Sequence, residues 1–136
     1  MNREDFQQLS ELRLGEAKAL LDAGYPNGAY YLAGYAVECA LKACIAKRTR
    51  EYDFPEKESQ GYYTHDLQKL VGSARLNLDL DQARQGEPAL DANWTIVVNW
   101  SEGSRYARKT DQEATDLIRA IEEKPEGILP WIMQRW

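Results

Sequence analysis

Two oppositely charged side chains stand one helical turn apart in the stretch YYLAGYAVECALKACIAK, residues 30–47. Glu38 precedes Lys42 by four residues, the order and spacing in which the two side chains meet on one face of a helix. A buried charge without a partner is costly, so we predict an ion pair between them. We interpret the pair as half-buried and structural; the alternative is that both side chains face a groove or a dimer partner.

The single histidine of the chain, His65, lies in the segment THDLQKL. Thr64 is a good N-cap for a helix that begins here, and Asp66 suits the positive end of the helix dipole. We interpret His65 as a surface or capping residue that closes a loop onto the protein. The alternative is that His65, with Asp66, contacts a nucleotide ligand or acts as a weak acid-base residue.

A basic segment, SEGSRYARKT, precedes a strongly predicted helix. Cationic side chains and backbone N–H groups at such a position both favour anions. The best phosphate-binding candidates are therefore Arg105, Tyr106, Arg108 and Lys109; a solvated charged loop is the alternative. A second basic cluster consists of Lys47, Arg48 and Arg50. In an antiparallel bundle the two clusters could share one end.

The remaining reactive residue types suggest little chemistry. Cys39 and Cys44 are the only cysteines, and their spacing of five places them on different helical faces. We predict buried free thiols in a reducing, cytoplasmic setting. One histidine and scattered carboxylates give no metal-ligand spacing, so no metal is expected. The sequence also contains no Gly-rich phosphate loop and no Ser-His-Asp arrangement, and no cofactor is expected.

The elements that must position these residues are predicted to be helices. Apolar residues recur at helical spacing, with capping and turn signals between them, over residues 4–23, 28–49, 64–74, 89–100 and 111–123. Residues 50–63 are predicted as a loop, and residues 75–86 are ambiguous, with a short helix plausible. The run Thr95–Val98 alone would suit a strand, but no second run is available to pair with it. We predict one all-α domain over residues 1–136, an up-and-down bundle of four or five helices.

Composition limits the functional classes. The net charge is −5, which argues against broad, non-specific binding to nucleic acid but allows a local basic patch. No apolar run is long enough to cross a bilayer, and the first residues, MNREDFQQLSEL, lack a signal-peptide core. We therefore expect a cytoplasmic protein with no membrane partner.

Three segments in a fixed order resemble the HEPN domain family, named for higher eukaryotes and prokaryotes. They are YAVECALKA at 35–43, THDL at 64–67 and SEGSRY at 101–106. The resemblance extends from about Phe6 to the last long helix. It implies a small, commonly dimeric helical bundle, often encoded beside a minimal nucleotidyltransferase in toxin–antitoxin or related systems.

A subset of the family consists of metal-independent ribonucleases. The resemblance implies for that subset an Arg, a polar residue and then a His within four to six positions, with the His in acid-base chemistry and the Arg on the phosphate. This sequence departs from that motif. The arginines nearest upstream of His65 are Arg50 and Arg48, with fourteen and sixteen residues between, and no histidine follows Arg105.

We therefore interpret the chain as a non-catalytic HEPN binding module, which dimerises and engages a nucleotidyltransferase, a nucleotide or RNA. One alternative is a divergent ribonuclease, which requires His65 and Arg105, forty residues apart, to meet in space; the sequence makes that meeting improbable. The other is a purely structural interaction protein. The apolar segment ILPWIMQRW either packs on its own bundle or joins a symmetric interface, with Trp131 and Trp136 as the interface pair.

Overall fold

The computed structural model describes residues 1–52 and 63–136, and for residues 50–52 the backbone alone. In this part of the chain there are seven α-helices, and a 3-10 helix spans Glu102–Tyr106. The α-helices are α1 (Arg3–Asp22), α2 (Pro26–Tyr52), α3 (Leu67–Ser73), α4 (Asn77–Gly86), α5 (Pro88–Val98), α6 (Asp111–Glu122) and α7 (Ile128–Met133). The predicted all-α class is confirmed. Most of the predicted loop of residues 50–63 lies outside the described residues.

The first two helices form the hairpin that organises the bundle. Asn2 and Asp5 cap α1 reciprocally, each side chain accepting the backbone N–H of the other at 2.9 Å. Gly24 has a φ of +88° after the end of α1, and Pro26 opens α2, where its missing N–H costs nothing. The side of α2 that meets α1 and the core is rich in small, fully buried residues: Ala29, Ala33, Ala36, Ala40 and Ala43. These side chains allow the two backbones to approach closely.

The core surrounds α2, which packs against α1, α3, α6, α7 and the 3-10 helix. Its buried apolar side chains come from all seven α-helices. Residues 88–98 are helical and bury Leu90, Trp94 and Val97, so the interpretation of Thr95–Val98 as helix and not strand is confirmed. The ambiguous residues 75–86 form α4 over most of their length.

The C-terminal segment packs on its own bundle. Within α7, Ile128, Leu129, Trp131 and Ile132 are buried, and the Arg135 guanidinium carbon lies 3.9 Å from the centre of the Trp131 ring. The Arg3 side chain donates a 2.7 Å hydrogen bond to the backbone oxygen of Trp136. Trp131 is therefore a core residue and not half of an exposed interface pair, and the apolar tail no longer supplies an argument for a dimer.

The start of α3 differs from the prediction. Its N-cap is Asp66, whose carboxylate accepts the Lys69 N–H at 3.1 Å, while the Thr64 hydroxyl accepts the N–H of Asp66. The helix begins two residues later than the Thr64 cap would give, because a carboxylate is the better acceptor at a helix N-terminus. His65 therefore lies outside α3, and its ring turns toward α2, where Nδ1 contacts Glu38.

Across residues 1–52 and 63–136, no helix combines the length and apolar character that a membrane span needs.

Candidate functional site

One face of α2 carries four polar or aromatic side chains among the alanines. Tyr31, Tyr35, Glu38 and Lys42 follow one another at spacings of four, three and four residues, which aligns them along the helix. Each of the first three contacts a residue from a distant part of the chain. This face of α2 is the base of the candidate site.

Glu38 is buried completely and has a partner at each carboxylate oxygen. Its Oε2 lies 3.0 Å from Lys42 Nζ, and its Oε1 lies 2.9 Å from His65 Nδ1. The Glu38 side chain is 1% exposed and that of Lys42 is 12% exposed. A buried carboxylate requires such partners. The pair therefore has a structural role, and through His65 it also connects to a surface groove.

The His65 ring is held from its buried side. A carboxylate can only accept hydrogen bonds, so Nδ1 carries the hydrogen that binds Glu38. The ring centre lies 6.5 Å from that of Tyr35. Burial, and then the Glu38 charge, raise the pKa of Tyr35, which keeps its hydroxyl neutral. With Nδ1 fixed, Nε2 points away from the core toward Glu102, whose Oε2 lies 3.5 Å away.

Glu102 is placed by a tryptophan that lies flat on α2. Three ring atoms of Trp100 are 2.2–2.3 Å from where a Cβ on Gly34 would stand, so only glycine fits beneath the ring. The Trp100 indole N–H donates to the Tyr31 carbonyl at 3.2 Å, and the two rings stack with centres 6.1 Å apart. The 3-10 helix begins two residues after Trp100, and this anchor holds it beside His65.

Arg105 reaches the same carboxylate from the far end of the 3-10 helix. Its Nη1 lies 3.7 Å from Glu102 Oε1, and its guanidinium carbon lies 4.7 Å from the centre of the Tyr106 ring. The Tyr106 side chain stands in solvent, 80% exposed. His65 and Arg105 therefore contact one carboxylate, although the sequence made their meeting improbable. Tertiary packing of Trp100 on Gly34 brings them together, and no local pattern encodes it.

A groove of about 500 Å³ opens beside these groups, lined by residues 65–67 and 98–103. We refer to it as the His65 groove. Its wall presents the His65 imidazole and the Glu102 carboxylate, and Arg105 stands just beyond Glu102. Such a volume suits a small ligand.

The family model described as HEPN domain matches residues 4–124 of the 136-residue chain. The chain belongs to the HEPN family. This confirms the predicted resemblance, and all three segments on which it was based contribute to the His65 groove or its base. No curated protein and no solved structure shows significant similarity to the chain. HEPN membership suggests a nucleotide- or RNA-related function for the chain.

The predicted phosphate-binding candidates of this HEPN domain do not form one cluster in the structure. Arg105, Tyr106 and Arg108 are exposed. Lys109 instead holds the loop against the start of α2, since its N–H donates to Asn27 Oδ1 at 2.6 Å and its Nζ lies 4.4 Å from the centre of the Tyr30 ring. The Asp66 carboxylate is engaged as the cap of α3. Two cationic candidates are thus left for a ligand at the surface, Arg105 and Arg108.

The second basic cluster lies far from the first in this HEPN domain. Lys47 follows Asn27, the partner of Lys109, by twenty residues on α2, which is roughly 30 Å along the helix axis. The suggestion that the two clusters share one end of the bundle is therefore wrong. The loop that carries Lys109 packs at the start of α2, whereas Lys47 belongs to its last turns. The Arg50 side chain is outside the described part of the molecule.

The groups of the His65 groove do not form a metal centre. Glu38 and Glu102 contact opposite nitrogens of the imidazole, so the three side chains do not converge on one point. Among the described residues, no other three His, Cys, Asp or Glu side chains are grouped to hold a metal ion. Cys39 and Cys44 are buried and free, as predicted. Burial, and then the Glu38 charge, raise the pKa of Cys39 to about 12, and burial raises that of Cys44 to about 11.

Sequence reasoning missed two residues of the site. Glu102 lies within the quoted segment SEGSRY, but a single exposed glutamate carries no pattern of its own. The role of Trp100 depends on Gly34, sixty-six residues earlier, so no local pattern shows it. The alignment of Tyr31, Tyr35, Glu38 and Lys42 on one helical face was the signal available, because a polar stripe on a buried helix must meet partners.

Proposed function

We propose that this HEPN domain is a non-catalytic binding module that takes a nucleotide or RNA, through a phosphate group, at the His65 groove. The observation that carries the proposal is the convergence of His65 Nε2 and the Arg105 guanidinium on a single carboxylate, at 3.5 Å and 3.7 Å. Because Nδ1–H donates to Glu38, Nε2 can donate to an anion only in the imidazolium form of His65. In that form His65 and Arg105 present the geometry in which a phosphate oxygen would be bound.

The exposed ring beside Arg105 supports a nucleotide over free phosphate. Tyr106 is 80% exposed and already lies under a guanidinium. Exposed aromatic rings next to arginine are the usual platforms on which bases stack, and each such stack contributes about 1–3 kcal/mol. Because the net charge of the chain is −5, affinity must come from these local contacts and not from general attraction to polyanions.

The test is a binding titration with Arg105→Ala. Fluorescence anisotropy with a labelled adenine nucleotide and with labelled single-stranded RNA should show binding by the wild-type protein and its loss in Arg105→Ala. Arg119→Ala is the matched control, because Arg119 is also exposed but lies in α6, away from the groove. Equal affinity in both variants would show that the ligand does not bind at Arg105. No binding by any of the three proteins would favour a purely structural interaction protein.

A second candidate, cleavage of RNA, is favoured by one observation. Buried Glu38 holds His65 Nδ1 and directs Nε2 to the groove, as a carboxylate orients the histidine of hydrolytic triads. In this reaction Nε2 takes the proton of a ribose 2′-hydroxyl, O2′ bonds to the adjacent phosphorus, and the P–O5′ bond breaks. O5′ leaves with a proton from water, and Arg105 stabilises the charge on the phosphate.

We expect no such cleavage, because the sequence lacks the Arg-to-His motif of the ribonuclease subset. Single-stranded RNA and tRNA, incubated with the protein in chelator, should remain intact. Cleavage that disappears in both His65→Ala and Arg105→Ala would replace the binding proposal with the enzymatic one.

The partners proposed from the family are a second copy of the chain and a nucleotidyltransferase. With the C-terminal segment packed on its own bundle, the dimer proposal depends on family membership alone. Sedimentation at micromolar concentration should show a species of twice 15.6 kDa; a single 15.6 kDa species would exclude the homodimer at that concentration.

A further inference from the structure

The contacts of Glu102 in the His65 groove are long. Its oxygens lie 3.5 Å from His65 Nε2 and 3.7 Å from Arg105 Nη1, whereas hydrogen bonds between charged groups measure about 2.7–2.9 Å. The Glu102 side chain is 37% exposed and that of Arg105 is 46% exposed. Exposed ion pairs of this kind contribute little to stability, so the carboxylate is held where it stands by weak forces.

The opposite side of the imidazole is different. Glu38 Oε1 lies 2.9 Å from Nδ1, and Glu38 is 1% exposed with Lys42 on its other oxygen. If that carboxylate moved away, Lys42 would be left as a largely buried cation without its partner, which is costly. The ring is thus fixed from within, while its outward nitrogen faces a carboxylate that solvent can reach.

We infer that Glu102 is an internal competitor, whose carboxylate occupies the position of the ligand phosphate between His65 and Arg105 and is displaced when the ligand binds. The inference deepens the proposed function and rests on it. Because Glu102 belongs to the same 3-10 helix as Arg105, it competes at the high effective concentration of a tethered group. The Glu102 carboxylate has one negative charge and two oxygens. A ligand that displaces it must therefore offer more charge or more acceptor oxygens than a carboxylate does.

This requirement selects a chemical class. A terminal phosphate monoester carries about −1.5 to −2 charges at pH 7 and three acceptor oxygens. An internal phosphodiester of RNA carries a single charge, as the carboxylate does. The groove should therefore prefer nucleotides or RNA ends with a terminal phosphate over the internal backbone of RNA.

The experiment uses the single histidine of the chain as its reporter. NMR signals of the His65 imidazole are followed while AMP, a monoester, or the dinucleotide ApA, with one internal diester, is added. We expect AMP to shift these signals at lower concentration than ApA. In Glu102→Gln, AMP should bind about two- to tenfold tighter, since the competing carboxylate and its weak contacts with His65 and Arg105 are removed.

Glu87→Gln is the matched control, because it removes the same charge from an exposed glutamate outside the groove; its AMP affinity should equal that of the wild type. Unchanged or weaker AMP binding in Glu102→Gln, with binding still lost in Arg105→Ala, would overturn the inference and leave the proposed function standing. ApA binding as tightly as AMP would refute the monoester class. Ligand-independent His65 signals in both the wild type and Glu102→Gln would instead overturn the proposed function.

Discussion

Two surfaces of this HEPN domain hold a glutamate–lysine pair beside a groove of similar size, and they differ in burial. One is the base of the His65 groove, with Glu38 and Lys42. The other, which we call the Lys18 face, lies where α1 meets α6 and holds Lys18 and Glu122 beside a groove of about 490 Å³. Lys18 Nζ lies 2.8 Å from Glu122 Oε2, closer than the 3.0 Å of the Glu38–Lys42 pair.

The distance between the charged atoms therefore does not show which of the two pairs contributes more to stability. The Lys18 and Glu122 side chains are 52% and 37% exposed, whereas Lys42 and Glu38 are 12% and 1% exposed. Water screens the first pair and is excluded from the second, so the free energy at stake differs severalfold. The shorter pair is the less important one for stability, and the longer pair also fixes a histidine at a groove.

The largest expected effect comes from removing the buried carboxylate. Glu38→Ala leaves Lys42 as a largely buried cation and frees His65, and should lower the free energy of unfolding by about 3–5 kcal/mol. Glu122→Ala on the Lys18 face should lower it by only about 0.2–1 kcal/mol. Urea unfolding of both variants measures the difference. Equal losses would show that burial does not separate the two surfaces.

A glycine from each surface gives a second contrast. In Gly34→Ala the new Cβ would stand 2.2 Å from the Trp100 ring, and displacing that ring should cost about 1–3 kcal/mol. Gly15 lies in α1 beside Lys18, with nothing within 4 Å of an added Cβ. Gly15→Ala should stabilise the protein by about 0.5–1 kcal/mol, because alanine is the better helix former. Thermal unfolding measures the change in stability of each variant, which should be a loss for Gly34→Ala and a gain for Gly15→Ala. An unchanged stability of Gly34→Ala would mean that the position of Trp100 does not depend on this glycine.

Lys42→Ala tests whether Glu38 depends on one partner or two. The variant removes the ammonium but leaves the 2.9 Å contact with His65, so we expect a loss of about 1–3 kcal/mol, as for a buried acceptor that loses one of its donors. The double variant Lys42→Ala/His65→Ala should lose more than the sum of the two single variants. Strict additivity in urea unfolding would argue against a shared carboxylate.

The smallest effect belongs to the pH dependence of the Lys18 face. A hydrogen bond from Lys18 to Glu122, and the charge of that carboxylate, raise the pKa of Lys18. A raised lysine pKa stabilises the folded state while the lysine is protonated. The contribution is complete below the pKa of an unfolded lysine, about 10.4, and is lost as the pH rises through the higher folded value. Wild type and Glu122→Gln should therefore differ by under about 1 kcal/mol at pH 8 and converge once the pH exceeds the raised folded pKa of Lys18; a constant gap would contradict this origin.

The sequence predicted the helices well because their signals are local. Apolar spacing defines α1, α2 and α6, although α2 begins at Pro26, two residues before its predicted start. The pairing of Glu38 with Lys42 was likewise predictable, since both lie on one turn. The third partner, His65, was not, because its ring turns to α2 only when Asp66 and not Thr64 caps α3. Thr64 and Asp66 are both acceptable caps, two residues apart, and the sequence pattern alone did not show which of them α3 uses.

The position of Arg105 beside His65 could not be predicted from the sequence either. It depends on Trp100 lying over Gly34, a contact between residues sixty-six positions apart. In the sequence, Gly34 is one glycine among several and nothing marks it as the partner of Trp100. The basic cluster was predicted as a unit from proximity along the chain. Side-chain direction divides it, because Lys109 is drawn onto Tyr30 while Arg105 turns to Glu102.

The hydrogen bond from Arg3 to the backbone of Trp136 joins positions 133 residues apart, and this separation has a kinetic consequence. The α1–α2 hairpin forms from neighbouring segments, whereas the Arg3 contact closes nearly the whole chain into a ring and carries a larger closure entropy. We expect it to be absent from the transition state for folding. Loss of such a late contact accelerates unfolding and leaves the rate of folding almost unchanged. We therefore expect loss of the Arg3 hydrogen bond to change mainly the rate of unfolding, and changes in the α1–α2 hairpin to change mainly the rate of folding.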